Sequence, residues 1–369
     1  MKKLALAAAV FAAVAAAPAM AQSTTSVTLF GIADAAYVNQ TNRVATGAGR
    51  AIQSGAWQAS RWGIRGSEDL GGGVKAVFDI ASTIALDTGT QASSSRLFDR
   101  NAYVGLSSAD YGTLMIGRQV TTLTEALWVT DPLKANNGAT NMNVRYGYLA
   151  GPGNPIANTF GTGAALANNS LDRQDNAAKY VYKASNGLIG MGYYAFGEST
   201  TASASANRSA GLLAGYDGSA LQVRAAYAQF KDATGAKLDA WTVGGVYKLD
   251  ALKFKATWSQ NKIDGQTATY QDQKTKVGSA GVTYSYSPSL DLTLAYYRGT
   301  RGFDNVATDQ KAQKFYFVPE YYLSKRTWLY GIADYERFNA SGAALDNGTA
   351  LKAGVRSSMY LAAGISHAF

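Results

Sequence analysis

Along most of this chain apolar and polar side chains alternate with a period of two. Leu252, Phe254, Ala256 and Trp258 interleave with Lys253, Lys255, Thr257 and Ser259. Trp62 and Ile64 oppose Arg61, Gly63 and Arg65, and Leu290, Leu292, Leu294 and Tyr296 oppose Asp291, Thr293 and Ala295. The stretch "MYLAAGISHAF" puts Met359, Leu361, Ala363, Ile365, His367 and Phe369 on one parity. That period belongs to β-strands, whose successive side chains point to opposite faces. Carried along the chain it predicts sixteen strands, near 26–38, 58–67, 73–86, 97–107, 112–119, 173–184, 187–197, 208–217, 219–230, 239–249, 251–261, 274–286, 290–299, 312–323, 327–338 and 357–369.

The predicted connections alternate in length. Seven are tight: "SEDLGGG", "SSADYG", "SNG", Asp217-Gly218, Leu249–Ala251, Ser287–Ser289 and "LSKRT". Eight are longer, among them 39–57, 86–96, 119–172, 262–273, 299–311 and 339–356. Eight long and seven short is the pattern of an even-stranded barrel with both chain ends on one side, as in bacterial outer-membrane barrels. The closing strand then pairs with "VTLFGIADAAYV" near the start, and neither leaves a raw edge. The competing reading is a core strand of a soluble protein, which explains neither the sorted loops nor the many tyrosines.

Composition sharpens this. The 369 residues hold 39 Gly, 23 Tyr, 6 Pro and no Cys, with a formal charge of +9. "MKKLALAAAVFAAVAAAPAMAQ" joins a basic start, a short apolar run and an A-x-A site. These are the parts of a cleaved secretory signal, read here as residues 1–21, with a mature barrel over 22–369. The alternative, a membrane anchor, suffers from the shortness of the run. No later apolar run reaches the ~20 residues of a membrane helix. Membrane entry would therefore be as a closed barrel, which satisfies every backbone N–H and C=O internally. Strand-end aromatics such as Tyr37, Trp258, Tyr286 and Tyr360 suit girdles at the two interfaces.

An enzyme finds little support. There is no thiolate, and the only histidine, His367, shares the parity of Ile365 and Phe369. No His-dependent triad, His-rich metal site or phosphate-cradling loop stands out, and "EDLGGG" joins two strands as a turn. Triplets such as Asn347-Gly348-Thr349 are common by chance. Neither a cofactor nor a nucleic-acid partner is expected.

Charge, by contrast, gathers on the polar parity. Arg61 and Arg65 share a face of the second predicted strand, and Lys75 and Asp79 oppose Val74, Ala76 and Phe78 on the third. Arg173, Asp175, Lys179 and Lys183 oppose Ala178, Tyr180 and Tyr182 on the sixth. On a lipid face each charge would cost roughly 2–4 kcal/mol at midplane. Facing a watery lumen it costs little, so these residues are expected to line a pore. The segment 119–172 lacks a strand pattern and far exceeds ordinary loop lengths. It either folds back into the barrel and narrows it or is disordered. A narrowed lumen with a basic wall would concentrate anions.

Several motifs carry a resemblance. "SVTLFGIADAAY", "SRWGIRGSEDLGGGVKAVF", "YGTLMIGRQ", "YYLSKRTWLYG" and "GISHAF" resemble segments of the beta-proteobacterial general porins, and the likeness covers the whole mature chain. The resemblance implies an all-β, 16-stranded antiparallel transmembrane barrel with a long inward-folded third loop, a homotrimer in the outer membrane lipid of a Gram-negative bacterium. It implies passive diffusion of ions and small hydrophilic solutes, with Phe369 as a signal read by periplasmic and outer-membrane assembly machinery. In similar porins the third loop forms an eyelet faced by arginines. By motif, Arg61 in "SRWGIRG", Arg100 in "FDRNAYVGL" and Arg173 in "DRQDNAAKYVY" fall on those positions. Parity supports Arg61 and Arg173 independently, whereas Arg100 beside Ala102 and Val104 rests on resemblance. Glu125 and Asp131 stand as candidate loop carboxylates, although this loop departs from the family pattern. Each arginine has an alternative role, pairing with a carboxylate such as Asp99 or Asp175. The expected activity is a weakly anion-selective diffusion channel. The alternatives are a surface receptor or phage-binding protein built on the barrel and a solute-specific channel.

Overall fold

A computed structural model describes residues 25–42, 49–91, 93, 95–136, 141–145, 160, 171–197, 206–234, 236–264, 272–303, 307–339 and 351–369. The expected signal segment, 1–21, lies outside them. Eighteen strands are formed among the described residues: β1 (Ser26–Gln40), β2 (Arg50–Ser54), β3 (Arg61–Gly71), β4 (Val74–Ala85), β5 (Thr90–Gln91), β6 (Asn101–Ser108), β7 (Gly112–Val120), β8 (Arg173–Lys183), β9 (Leu188–Ala195), β10 (Ser209–Asp217), β11 (Leu221–Lys231), β12 (Lys237–Leu249), β13 (Leu252–Asp264), β14 (Gln273–Ser287), β15 (Leu290–Phe303), β16 (Gln310–Tyr322), β17 (Thr327–Phe338) and β18 (Ser357–Ala368). Two of them, β2 and β5, are short pieces of 5 and 2 residues within long connections. The other sixteen form the wall of a closed antiparallel barrel.

Closure runs through β1. Its first half pairs with β3, from Ser26↔Ser67 to Ile32↔Arg61. On its other side β18 pairs from Ile32↔Ala368 to Gln40↔Tyr360. Phe369 extends that seam, exchanging backbone hydrogen bonds of 3.0 and 3.1 Å with Gly31. No wall strand is left with an open edge, so the backbone hydrogen bonding that a membrane demands is met within the ring.

Alternation decides which face meets what. On β16, Phe315 and Phe317 are 51% and 42% exposed, while Lys314 and Tyr316 between them are 1% and 2% exposed. Greasy side chains cover the outside and ionic ones are enclosed. Lys314 sits inside against Glu336 at 2.6 Å. The exposed apolar skin is what hydrocarbon rather than water requires. At the expected "EDLGGG" turn, Gly71, Gly72 and Gly73 take φ of +82°, +58° and +76°. That left-handed region is open to glycine and costly to other residues, so these three make the tight β3–β4 return.

Two helices lie in the long β7–β8 connection: α1 (Thr122–Thr130) and α2 (Met142–Arg145). No strand pattern is visible in the sequence there, and the described residues include these two helices rather than strands.

Candidate functional site

Described residues of the long connection pack against inward-parity positions of the wall, and glycines make room for them. A Cβ at Gly211 on β10 would come within 2.6 Å of Thr122 Oγ1, and one at Gly244 on β12 within 2.7 Å of Thr130. At Gly281 on β14 and Gly299 on β15 it would come within 2.8 Å of Pro132 and of Met142. All four positions share the parity of buried inward neighbours such as Leu213, Val246, Val277 and Tyr297. Side-chain-free positions on β10, β12, β14 and β15 thus form a shallow bed. Leu123 and Leu127 of α1 pack there with Phe160, Leu171, Leu213, Ala226 and Leu238.

Two carboxylates fasten this segment. Asp131 has no exposed surface. It accepts from Leu133 N and Ala135 N, both 2.9 Å, from Asn141 Nδ2 at 3.1 Å, Asn143 Nδ2 at 2.9 Å and the Tyr297 hydroxyl at 3.0 Å. Lys255 Nζ donates to its backbone oxygen at 3.0 Å. Glu125 accepts from Lys179 Nζ at 2.7 Å, and the same ammonium donates to Val120 O at 3.2 Å. Asp131 and Lys179 were expected on the pore surface. Asp131 is instead sealed inside the turn, and Lys179, 2% exposed, ties α1 to β8. Glu125 keeps some exposure but is spent on the same tie.

A second inward element was not foreseen in the sequence. Between β2 and β3, residues 55–60 leave the wall and are gathered by Asp34. Its Oδ1 accepts from Trp57 N at 3.3 Å and its Oδ2 from Gln58 N at 3.2 Å. Tyr330 donates to Oδ1 at 2.7 Å, and Trp57 Nε1 donates to Glu320 Oε1 at 2.9 Å. Parity could not reveal it, because these residues follow no strand. Asp34 on the polar parity of β1 was its one available signal.

Between these inward elements and the wall opens a cavity of about 620 Å³. Arg61, Arg100 and Arg173 line it from the wall side; Trp128, Lys134, Ala135 and Asn136 line it from the long connection; Trp57, Gln58 and Ala59 complete it. The structure brings together the three arginines that the motifs singled out. It adds Lys134, which the sequence reading passed over because nothing in the local pattern sets it apart. Among the described residues of this lining Asp172 is the only carboxylate, against four cations. Arg173 bonds to Asp172. Arg61 Nη1 donates to Ala59 O at 3.2 Å and Arg100 Nη1 approaches Thr83 Oγ1 at 3.4 Å. Among the described residues neither Arg61, Arg100 nor Lys134 is within ion-pair distance of a carboxylate.

Of the three arginines Arg173 takes the alternative role of pairing with a nearby carboxylate, Asp172, while the two carboxylates named as examples hold other groups. Asp175 holds Arg96 at 2.7 Å and Arg118 at 2.6 Å, and Asp99 accepts from Thr83 N at 2.7 Å. Arg100 precedes β6, which starts at Asn101, so the parity of Ala102 and Val104 never applied to it. In β8 the register shifts opposite Gly117–Gln119, where Asn176 takes φ of +52°. Such a bulge re-aims side chains, so the parity that Arg173 and Lys179 share in sequence is not carried through the strand. Arg173 reaches the cavity from the first residue of β8.

Arg65, Lys75 and Asp79 lie on the inward parity of β3 and β4, outside this lining and nearer the short turns. Arg65 pairs in register with Asp79 and stands 4.9 Å over the Phe30 ring, while Lys75 faces Asp69. Asp79 accepts from Asn101 Nδ2 at 3.2 Å. Of the described residues, none form a cluster of His, Asp and Glu able to hold a metal. Residues 137–140, 146–159 and 161–170 of the long connection lie outside the description.

Residues 5–341 match the family described as Gram-negative porin. Outer membrane porin protein 32 of Delftia acidovorans is 32% identical over the full length of both chains. An outer membrane porin protein of Bordetella pertussis is 28% identical over 91% of this chain and 94% of that one. Among solved structures, an anion-selective porin from Comamonas acidovorans superposes with a TM-score of 0.77 at 27% identity, covering 94% of this chain and all of that one.

Proposed function

Because this chain belongs to the Gram-negative porin family, and so forms an outer-membrane channel for passive diffusion of ions and small hydrophilic solutes, we propose that the cavity between the arginines and the long connection is its filter and that the filter favours anions. The observation that carries this is the described lining itself: Arg61, Arg100, Arg173 and Lys134 with Asp172 as its one described carboxylate. Fixed positive charge beside low-dielectric walls raises the local concentration of anions. Three of these cations are within ion-pair distance of no described carboxylate, so their field acts on whatever ion enters. Selectivity of this kind is weak by construction, because an ion must be held loosely enough to leave. The solved relative is itself described as anion-selective, which agrees with this reading.

The segment 119–172 acts as the constriction in this reading, with α1 pressed to the wall and Lys134 turned to the opening. The exported chain loses residues 1–21, Phe369 serves as an assembly signal, and three copies associate. The test of the filter is direct. Arg61, Arg100 and Arg173 are replaced together by alanine, and reversal potentials are read in planar bilayers across a KCl gradient. The chloride-to-potassium permeability ratio should fall toward unity. A ratio equal to that of the parent channel would remove these residues from the filter.

A further inference from the structure

Three rings belong to the described lining of the cavity: Phe30, Trp57 and Trp128. Phe30 already carries the Arg65 guanidinium 4.9 Å over its face, and Trp57 is 2% exposed with its Nε1 spent on Glu320. Trp128 is different, with 41% of its surface exposed. Among the described residues its indole is in ring contact with no other aromatic group and lies under no cation.

The way α1 sits explains this placement. Leu123, Ala126, Leu127 and Thr130 are buried, and residues three and four apart share a helix face. Glu125, Trp128 and Val129 are left on the other side. Glu125 is tied to Lys179 at 2.7 Å, so Trp128 is the large side chain that α1 offers to the opening. A lone exposed apolar residue would need no explanation. This one continues an apolar stretch of Ala59, Ala135 and Val144 on the same lining as four cations. Ligand sites have that composition, with apolar and aromatic walls and a few charged groups that fix orientation.

The two parts ask for different halves of a solute. A guanidinium presents a planar fork of N–H donors that matches a carboxylate. An indole takes a second flat ring in offset-stacked or edge-to-face geometry. We propose that Trp128 is a specificity-determining residue of the channel, and that the constriction prefers aromatic carboxylates to aliphatic ones of like charge and size. This rests on the filter reading: the cations draw in any anion, and Trp128 then ranks the anions among themselves. Stacking adds only a small increment, so the solute still leaves, as a conducting site requires. While it occupies the opening it delays chloride.

The test uses the purified full chain in planar bilayers at pH 7 with symmetric KCl. Block of the single-channel current is titrated with benzoate, with cyclohexanecarboxylate and with benzyl alcohol. Benzoate should half-block at a concentration at least about threefold below that of cyclohexanecarboxylate. Benzyl alcohol, which has the ring without the charge, should leave the current unblocked over the same range. Trp128→Leu should bring benzoate level with cyclohexanecarboxylate, whereas Trp128→Phe should keep benzoate ahead. Equal block by the two carboxylates in the parent channel overturns the proposal, and so does block by benzyl alcohol equal to that by benzoate. Loss of the preference in Trp128→Phe as well as in Trp128→Leu would trace it to the packing of α1 and overturn the assignment to a stacked ring. An undiminished preference in Trp128→Leu overturns that assignment too. The reversal potential of the parent channel across a KCl gradient separates the two readings. A chloride-to-potassium ratio above unity with equal block by both carboxylates sinks this inference alone, while a ratio of unity sinks the filter beneath it.

Discussion

Asp131 is a carboxylate with no exposed surface and five donors converging on it. Among the described residues no Lys or Arg side chain is in ion-pair distance of it, and Lys255 reaches its backbone oxygen. Such a group is held by the number of its hydrogen bonds, each worth about 1.5–3 kcal/mol when one partner is charged. Asp131→Asn keeps the volume but turns an NH2 toward donors. The expected outcome is a loosened inner segment: higher and noisier single-channel conductance, with the barrel still resisting unfolding by detergent on unheated gels. Conductance identical to the parent would show that the turn does not depend on this carboxylate. Sequence reading placed Asp131 on the pore, because a carboxylate in a long connection looks solvated until its donors are known. Arg100 shows the reverse case. Motif found it where parity had spoken against it, and the strand boundary at Asn101 explains the conflict.

Elements were legible to the extent that period two governs them. All sixteen wall strands overlap the predicted ones, with β3 starting at Arg61 rather than 58 and β6 at Asn101 rather than 97, and the sorted turns give the even count. What alternation could not foresee has no period: the excursion at 55–60, the bulge at Asn176 and helix α1. The residues of α1 buried against the wall include Thr122, Thr124 and Thr130 as well as Leu123 and Leu127. With threonines among its buried positions, the helix shows no clear apolar stripe in sequence. Its seat is legible only in three dimensions, as the inward glycines of β10, β12, β14 and β15. A side chain there has no free volume, and overpacking of a fitted interface costs typically about 1–3 kcal/mol. Gly244→Val combined with Gly281→Val should therefore push the segment off its bed and into the opening or away from it. Either displacement would change conductance by a measurable factor while leaving the outer wall, and its heat-modifiable mobility, as before. An unaltered conductance would mean that the bed does not set the opening.

Across the whole molecule, charge is sorted by face: a basic cavity inside and an apolar skin outside. The inner field is screened by mobile ions over ~10 Å at 0.1 M salt and ~3 Å at 1 M. The anion-to-cation permeability ratio should accordingly decline toward unity as salt is raised between those limits at a fixed gradient. A ratio independent of ionic strength would mean that size rather than charge discriminates. The seam between β1 and β18 has a consequence of another kind. Every wall strand, these two included, has a neighbour on both flanks, so the ring has no energetically privileged beginning. Strand order along the polypeptide records how the wall is threaded during synthesis rather than what keeps it upright. Rejoining Phe369 to Ser26 and cutting at any of the small returns on the same rim would leave the same neighbours in contact, and with them the same hole.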